Sequence, residues 1–225
     1  MGLRVAAIGL CSLLVLGGLG GARAAYYDDP RDVDVMGPYT QDASGMVFPE
    51  AVGTFKRDEV ISYNSERTDE SATYIQEKDG KESVAITIYV YPVPLDIGSA
   101  LLQSLPQADV PGVLYMLTEQ LFADEEQAIS EVHRNTEILD EGITSHDERG
   151  FSFPGTMASF RYSEDFFGNV TQVRSQLHLF SMVGGKWMVK YRVTYPDTTS
   201  DGAAQANQFM RSLPWTIRGM RGATP

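Results

Sequence analysis

The side chains best equipped for chemistry are three histidines, His133, His146 and His178, and three cations at alternating positions, Arg174, Lys190 and Arg192. Imidazole serves as a base or metal ligand near neutral pH. Zinc-binding helices, however, place two histidines on one helix face, and no two of these three have that spacing. His146-Asp147-Glu148 joins an imidazole to two carboxylates. Together with His133 or Glu131 it would hold a metal only if the fold brought the segments together, and a metal-assisted hydrolase is the enzyme reading of the chain. There is no Gly-x-Ser-x-Gly elbow, phosphate-binding loop or dinucleotide fingerprint. The adjacent carboxylates Glu125-Glu126 read as part of a solvated helix face. No catalytic, cofactor-binding or metal-ligating residue is therefore assigned, no cofactor is expected, and a non-catalytic binding or assembly role leads.

Charge narrows the partners. The chain of 225 residues has a formal charge of -12, which argues against nucleic acid, whose phosphates need a basic footprint. Its start has the pattern of an export signal: Arg4, an apolar run over 5–19, and the small-x-small site Ala22-Arg23-Ala24. Cleavage there makes Ala25 the mature N-terminus. Arg4 and Arg23 are then lost, so 18 - 2 cations against 30 acids give -14. The run is shorter than the ~20 residues a membrane span needs, so membrane attachment is expected only through an uncleaved N-terminus. Cys11, the single cysteine, lies in the signal, leaving no disulfide or thiol nucleophile. The expected location is periplasmic or extracellular.

Behind the signal, residues 25–46 carry Pro30, Gly37, Pro38 and the cluster Asp28, Asp29, Asp32 and Asp34 without sustained periodicity, and read as a flexible acidic linker. The aspartates lack the glycine turn and terminal glutamate of a calcium loop. One domain is expected over 47–215, and a loose tail over 216–225. Strands are expected over 53–63, 71–78 and 83–91, the last two flanking the hairpin signal Asp79-Gly80. In the third, Val84, Ile86, Ile88 and Val90 share one face and Ala85, Thr87, Tyr89 and Tyr91 the other, the mark of a central strand covered on both sides. A short helix over 97–104 and a longer one to about Val132 follow. Leu114, Leu117, Leu121, Ala128 and Val132 form the apolar stripe of the longer helix; Glu119, Asp124, Glu125, Glu126 and Glu131 form its acidic face. Strands are expected over 137–145 and 151–163. A last helix capped by Ser200 buries Ala203, Ala206, Phe209, Met210 and Leu213. Strands and helices thus come in separate groups, an α+β order with a single antiparallel sheet.

That order, with VFPEAVGTF near the start, ITIYVYP before the long helix, and KYRVTYP followed by NQFMRSLPW at the end, resembles the Mog1/PsbP-like fold. The resemblance covers about residues 47–215 and implies an α/β/α sandwich with a non-enzymatic accessory or binding role. It implies no particular site residue.

The only candidate site comes from the hairpin Val170–Tyr195, two alternating runs around Gly184-Gly185. A two-residue turn pairs Met182 with Trp187 and sets His178 opposite Tyr191 and Leu177 opposite Arg192. A three-residue loop, Gly184-Gly185-Lys186, pairs Val183 with Trp187 and sets Leu177 opposite Val193 and His178 opposite Arg192. One residue of slip exchanges every partner. The three-residue loop is favoured because it unites the apolar sets on one face. Its other face then gathers Arg174, His178, Lys190 and Arg192, joined by Arg161 and flanked by Tyr89 and Tyr91. Such a face suits an anionic small molecule or an acidic protein partner. Asn169-Val170-Thr171 also fits the glycosylation pattern.

Overall fold

A computed structural model describes residues 30–93, 110–133 and 135–219. The expected signal segment and the short helix over 97–104 lie outside the described residues. The strands are β1 (Arg31–Asp32), β2 (Tyr39–Thr40), β3 (Val47–Phe48), β4 (Ala51–Val52), β5 (Phe55–Ser62), β6 (Glu70–Lys78), β7 (Lys81–Pro92), β8 (Glu137–Glu148), β9 (Phe151–Phe166), β10 (Asn169–Val183) and β11 (Trp187–Pro196). The helices are α1 (Val110–Val132) and α2 (Gly202–Ser212). A nine-stranded antiparallel sheet runs in the order β1-β5-β6-β7-β11-β10-β9-β8, with β4 on β5; β2 and β3 form a small second sheet. The expected α+β class, one antiparallel sheet between helices, is what is observed.

Alternation explains the two layers. β7 lies between β6 and β11, so both of its edges are paired, and side chains pack on both of its faces. Val84, Ile86, Ile88 and Val90 pack with Tyr191, Val193, Phe209 and Leu213 on the α2 side. Ala85 faces the other cluster, where α1 contributes Leu121, Phe122 and Ile129 against Ala158, Phe160, Tyr162, Leu177 and Leu179. Asp79-Gly80 turns with both residues at positive φ, the type I′ geometry whose twist matches that of the flanking strands. Asp201, one residue later than expected, occupies the α2 N-cap.

Two segments expected to be loose are packed. Within 30–46, Tyr39 and Met46 are core residues. Tyr39 Oη donates to the Glu70 carboxylate at 2.8 Å, and Arg67 reaches both groups. Gln41 donates to the Val90 carbonyl, and Arg57 to the carbonyls of Gly37 and Phe48. Glu70 is fully buried, and burial pushes its carboxyl above the ordinary range. At the other end, Trp215 and Ile217 are buried, and Thr216 and Arg218 bond to the backbone of Gly45, Val47 and Ser44. The two ends of the domain therefore tie to each other. Short-range periodicity gives no sign of this, because long-range hydrogen bonds to backbone groups do the holding.

Candidate ligand-binding cleft

Both register alternatives are present in the hairpin, one at each end. Val183 pairs with Trp187 across the three-residue loop, as favoured, but a bulge between Phe180 and Val183 shifts the body of the hairpin by one residue. Beyond it Phe180 opposes Val189, His178 opposes Tyr191, and Leu177 opposes Arg192. The single basic face is thereby split. Lys190 and Arg192 face α1, beside Tyr89 and Thr87 of β7. Arg174 and His178 face the α2 side, with Arg161 opposite Arg174 on β9. The criterion of one clean apolar face misled because helices cover this sheet on both sides, so each face needs its own apolar set.

The α2-side cations are occupied. Asp197 bridges Arg174 and Arg161, whose guanidinium also reaches Glu137 at 3.2 Å. His178 is buried. Because the Arg174 side chain is 42 % exposed, its ion pair is screened by solvent. Arg174→Ala should change stability by no more than about 0.5 kcal/mol, checked by urea unfolding.

The α1-side residues form a cleft of about 710 Å³, open solvent at its mouth included. Its floor is β7, β11, β10 and β9; its roof is the second half of α1. Lys190 Nζ bonds Glu125 Oε1 at 2.9 Å, both side chains nearly buried, and sits 4.3 Å from the Tyr89 ring centroid. Tyr91 lies further out, its centroid 6.0 Å from the same ammonium. Arg192 Nη2 donates to Tyr162 Oη at 2.8 Å, while its Nη1 is buried with no hydrogen-bond partner among the described residues. His133 stacks on Tyr162, ring centroids 3.8 Å apart. Burial, and then the Arg192 charge, push the imidazole down to about 4, so it is neutral at pH 7.

Glu125, His133 and Tyr162 line the cleft, although the sequence suggests a solvated helix face for the first, only a metal ligand for the second and only a strand face for the third. Glu125 was placed on the solvated face, yet it lies one turn from Leu121 and one from Ile129, within the buried stripe. His133 continues that stripe past Ile129, and Tyr162 shares its face of β9 with Phe160. The spacing was the available signal. His133 and His146 do not meet: His133 stacks on Tyr162 on the α1 side, and His146 stacks on Trp215 on the α2 side. The metal-assisted hydrolase loses its ligand pair for that reason. Among the described residues no cluster of three histidines, cysteines or carboxylates is placed to hold a metal ion.

No protein-family model and no curated protein matches the chain. Among solved structures it is similar to the Saccharomyces cerevisiae Ran-binding protein Mog1p, at 13% identity and a TM-score of 0.35, over 81% of this chain and 85% of that one. A single-residue variant of Mog1 aligns at the same identity and TM-score, over 82% of this chain and 87% of that one. The likeness is one of fold alone.

Proposed function

We propose that the chain is an exported, non-catalytic binding domain whose cleft beneath α1 holds a small organic anion, with the carboxylate of the ligand on Arg192. The observation that carries this reading is Arg192 Nη1, a cationic donor in the lining of the cleft that has no acceptor among the described residues. Leaving such a donor unpaired costs about 1–3 kcal/mol, which an anion would recover. Guanidinium is suited to carboxylate, since its planar fork matches the two oxygens. Tyr89, Ile129 and Leu177 supply apolar wall for the rest of the ligand. Lys190 is already neutralised by Glu125, so Arg192 is the primary anchor and Lys190 a positioning group for Tyr89. Export is supported by the N-terminal pattern alone.

The test is thermal shift and calorimetry with benzoate and octanoate as probes. At least one should raise the melting temperature of the native protein, and Arg192→Gln should weaken that binding about tenfold, the loss expected for one charged hydrogen bond. Carboxylates that leave the melting temperature unmoved, or bind Arg192→Gln equally well, would overturn the assignment. Mass spectrometry of the secreted product should give a chain beginning at Ala25; an intact mass from Met1 in the membrane fraction would overturn the export reading.

A further inference from the structure

The far edge of the sheet from β1 is β8, which among the described residues pairs with β9 alone. It is 12 residues long and mostly exposed, so a row of backbone N–H and C=O groups faces outward over roughly 40 Å. Edges of this length are usually blunted by lysine, proline or a covering element. β8 contains neither lysine nor proline, and its one irregularity is a bulge between Ile138 and Asp140. What it does carry is apolar and acidic. Ile138 is 48% and Ile143 84% exposed. Their β9 partners, Phe160 and Thr156, lie on the α1 face, as does Ala158 opposite Glu141, so Ile138, Glu141 and Ile143 share that face.

The acids on this edge are not all compensated. Glu137 has Arg161, and Glu148 has Arg149 and the Trp215 amide. Asp140, Glu141 and Asp147 make no ion pair with a described residue within 4.0 Å. Over the same side, α1 adds Glu119 and Glu126. Burial, then the charges of Glu141 and Glu119, push the Glu126 carboxyl up to about 7. A second copy pairing edge to edge would set acids against acids, which is destabilising across strands.

We propose that β8 is a docking edge that accepts an extended segment of another protein by strand addition, its occupant presenting on the α1 face one basic side chain between two apolar ones, in the pattern apolar-x-basic-x-apolar. The backbone row provides the pairing, Ile138 and Ile143 the apolar contacts, and Glu141, on the same face between them, the partner for lysine or arginine. This surface is separate from the cleft and stands without it.

The probe is a short, terminally blocked peptide containing valine-serine-lysine-serine-valine, with glutamate in place of the lysine as control, added to the full chain. Fluorescence anisotropy should show binding of the basic peptide only, and hydrogen exchange should slow at the amides of 137–148. Glu141→Lys, at an exposed position and monitored for an unchanged melting temperature, should weaken the basic peptide about tenfold and give measurable affinity to the acidic one. Equal binding of both peptides by the native protein, protection confined to other strands, or an unchanged preference in Glu141→Lys would overturn the proposal. So would concentration-dependent dimerisation that protects β8 without peptide, because a second copy would then be the occupant.

Discussion

Trp215→Ala should destabilise the protein by about 3–5 kcal/mol, the range for removing a fully buried large aromatic from a packed core. Trp215 has no exposed surface. Its indole stacks on His146 at 3.8 Å and meets the rings of Phe180 and Phe153 at 5.2 and 5.5 Å. Nε1 donates to Tyr191 Oη at 2.7 Å, and the Trp215 amide donates to Glu148 at 3.0 Å. The residue therefore joins the C-terminal segment to β8, β9, β10 and β11 at once. Alanine would open a cavity among these rings and leave the buried Tyr191 hydroxyl without its donor. Trp215→Phe separates the two effects: it retains a ring in the stack and loses the Nε1 bond, so its cost should fall to roughly 1–2 kcal/mol. Urea unfolding of the two variants beside the native chain gives both numbers. A loss under 1 kcal/mol for the alanine variant would contradict a packed C-terminal segment.

That segment illustrates what could and could not be seen in the sequence. Alternation in β7 was legible because it is a local property: successive side chains point to opposite faces whatever surrounds them. The α2 stripe of Ala206, Phe209, Met210 and Leu213 was legible for the same reason. Trp215 was not, since no period continues beyond Pro214, and only the fold shows His146, Phe153 and Phe180 converging on it. The register of β10 on β11 lay between these cases. Gly184-Gly185 left two loop lengths open, and the three-residue loop followed from the wish for one apolar face, while the bulge between Phe180 and Val183 that shifts the pairing has no glycine or proline to announce it. The candidate site inherited that difficulty. Tyr89, Tyr91, Lys190 and Arg192 were expected together and are together; Arg161, Arg174 and His178 were expected with them and lie through the sheet.

His178 carries the other large effect, and its sign is set by burial. It is 4% exposed, faces Tyr191 and Met157 across its two neighbouring strands, and has no hydrogen-bond partner among the described residues at either ring nitrogen. Burial alone pushes the imidazole from 6.5 down to about 4. Between those values the unfolded chain takes a proton that the folded chain refuses, so this contribution is complete above pH 6.5 and is lost as pH falls toward 4. A drop of that size corresponds to about 3 kcal/mol. His133, also held near 4, and His146, lowered by burial against Glu148 and Asp147, act in the same direction. Glu126, raised to about 7, and Glu59 and Glu70, raised by burial, bind protons more readily when folded and oppose the trend. A single variant isolates the histidine from this balance. His178→Leu fills a similar volume and needs no hydrogen bond, so it should be more stable than the native chain by about 1–2 kcal/mol at pH 7. Its stability should also decline less between pH 6.5 and 4, by about 3 kcal/mol, than that of the native chain. Unfolding curves across that pH range measure both. A leucine variant that is weaker at pH 7 and keeps the native pH slope would show that the imidazole is solvated and bonded in solution, and that its burial is not a source of acid lability.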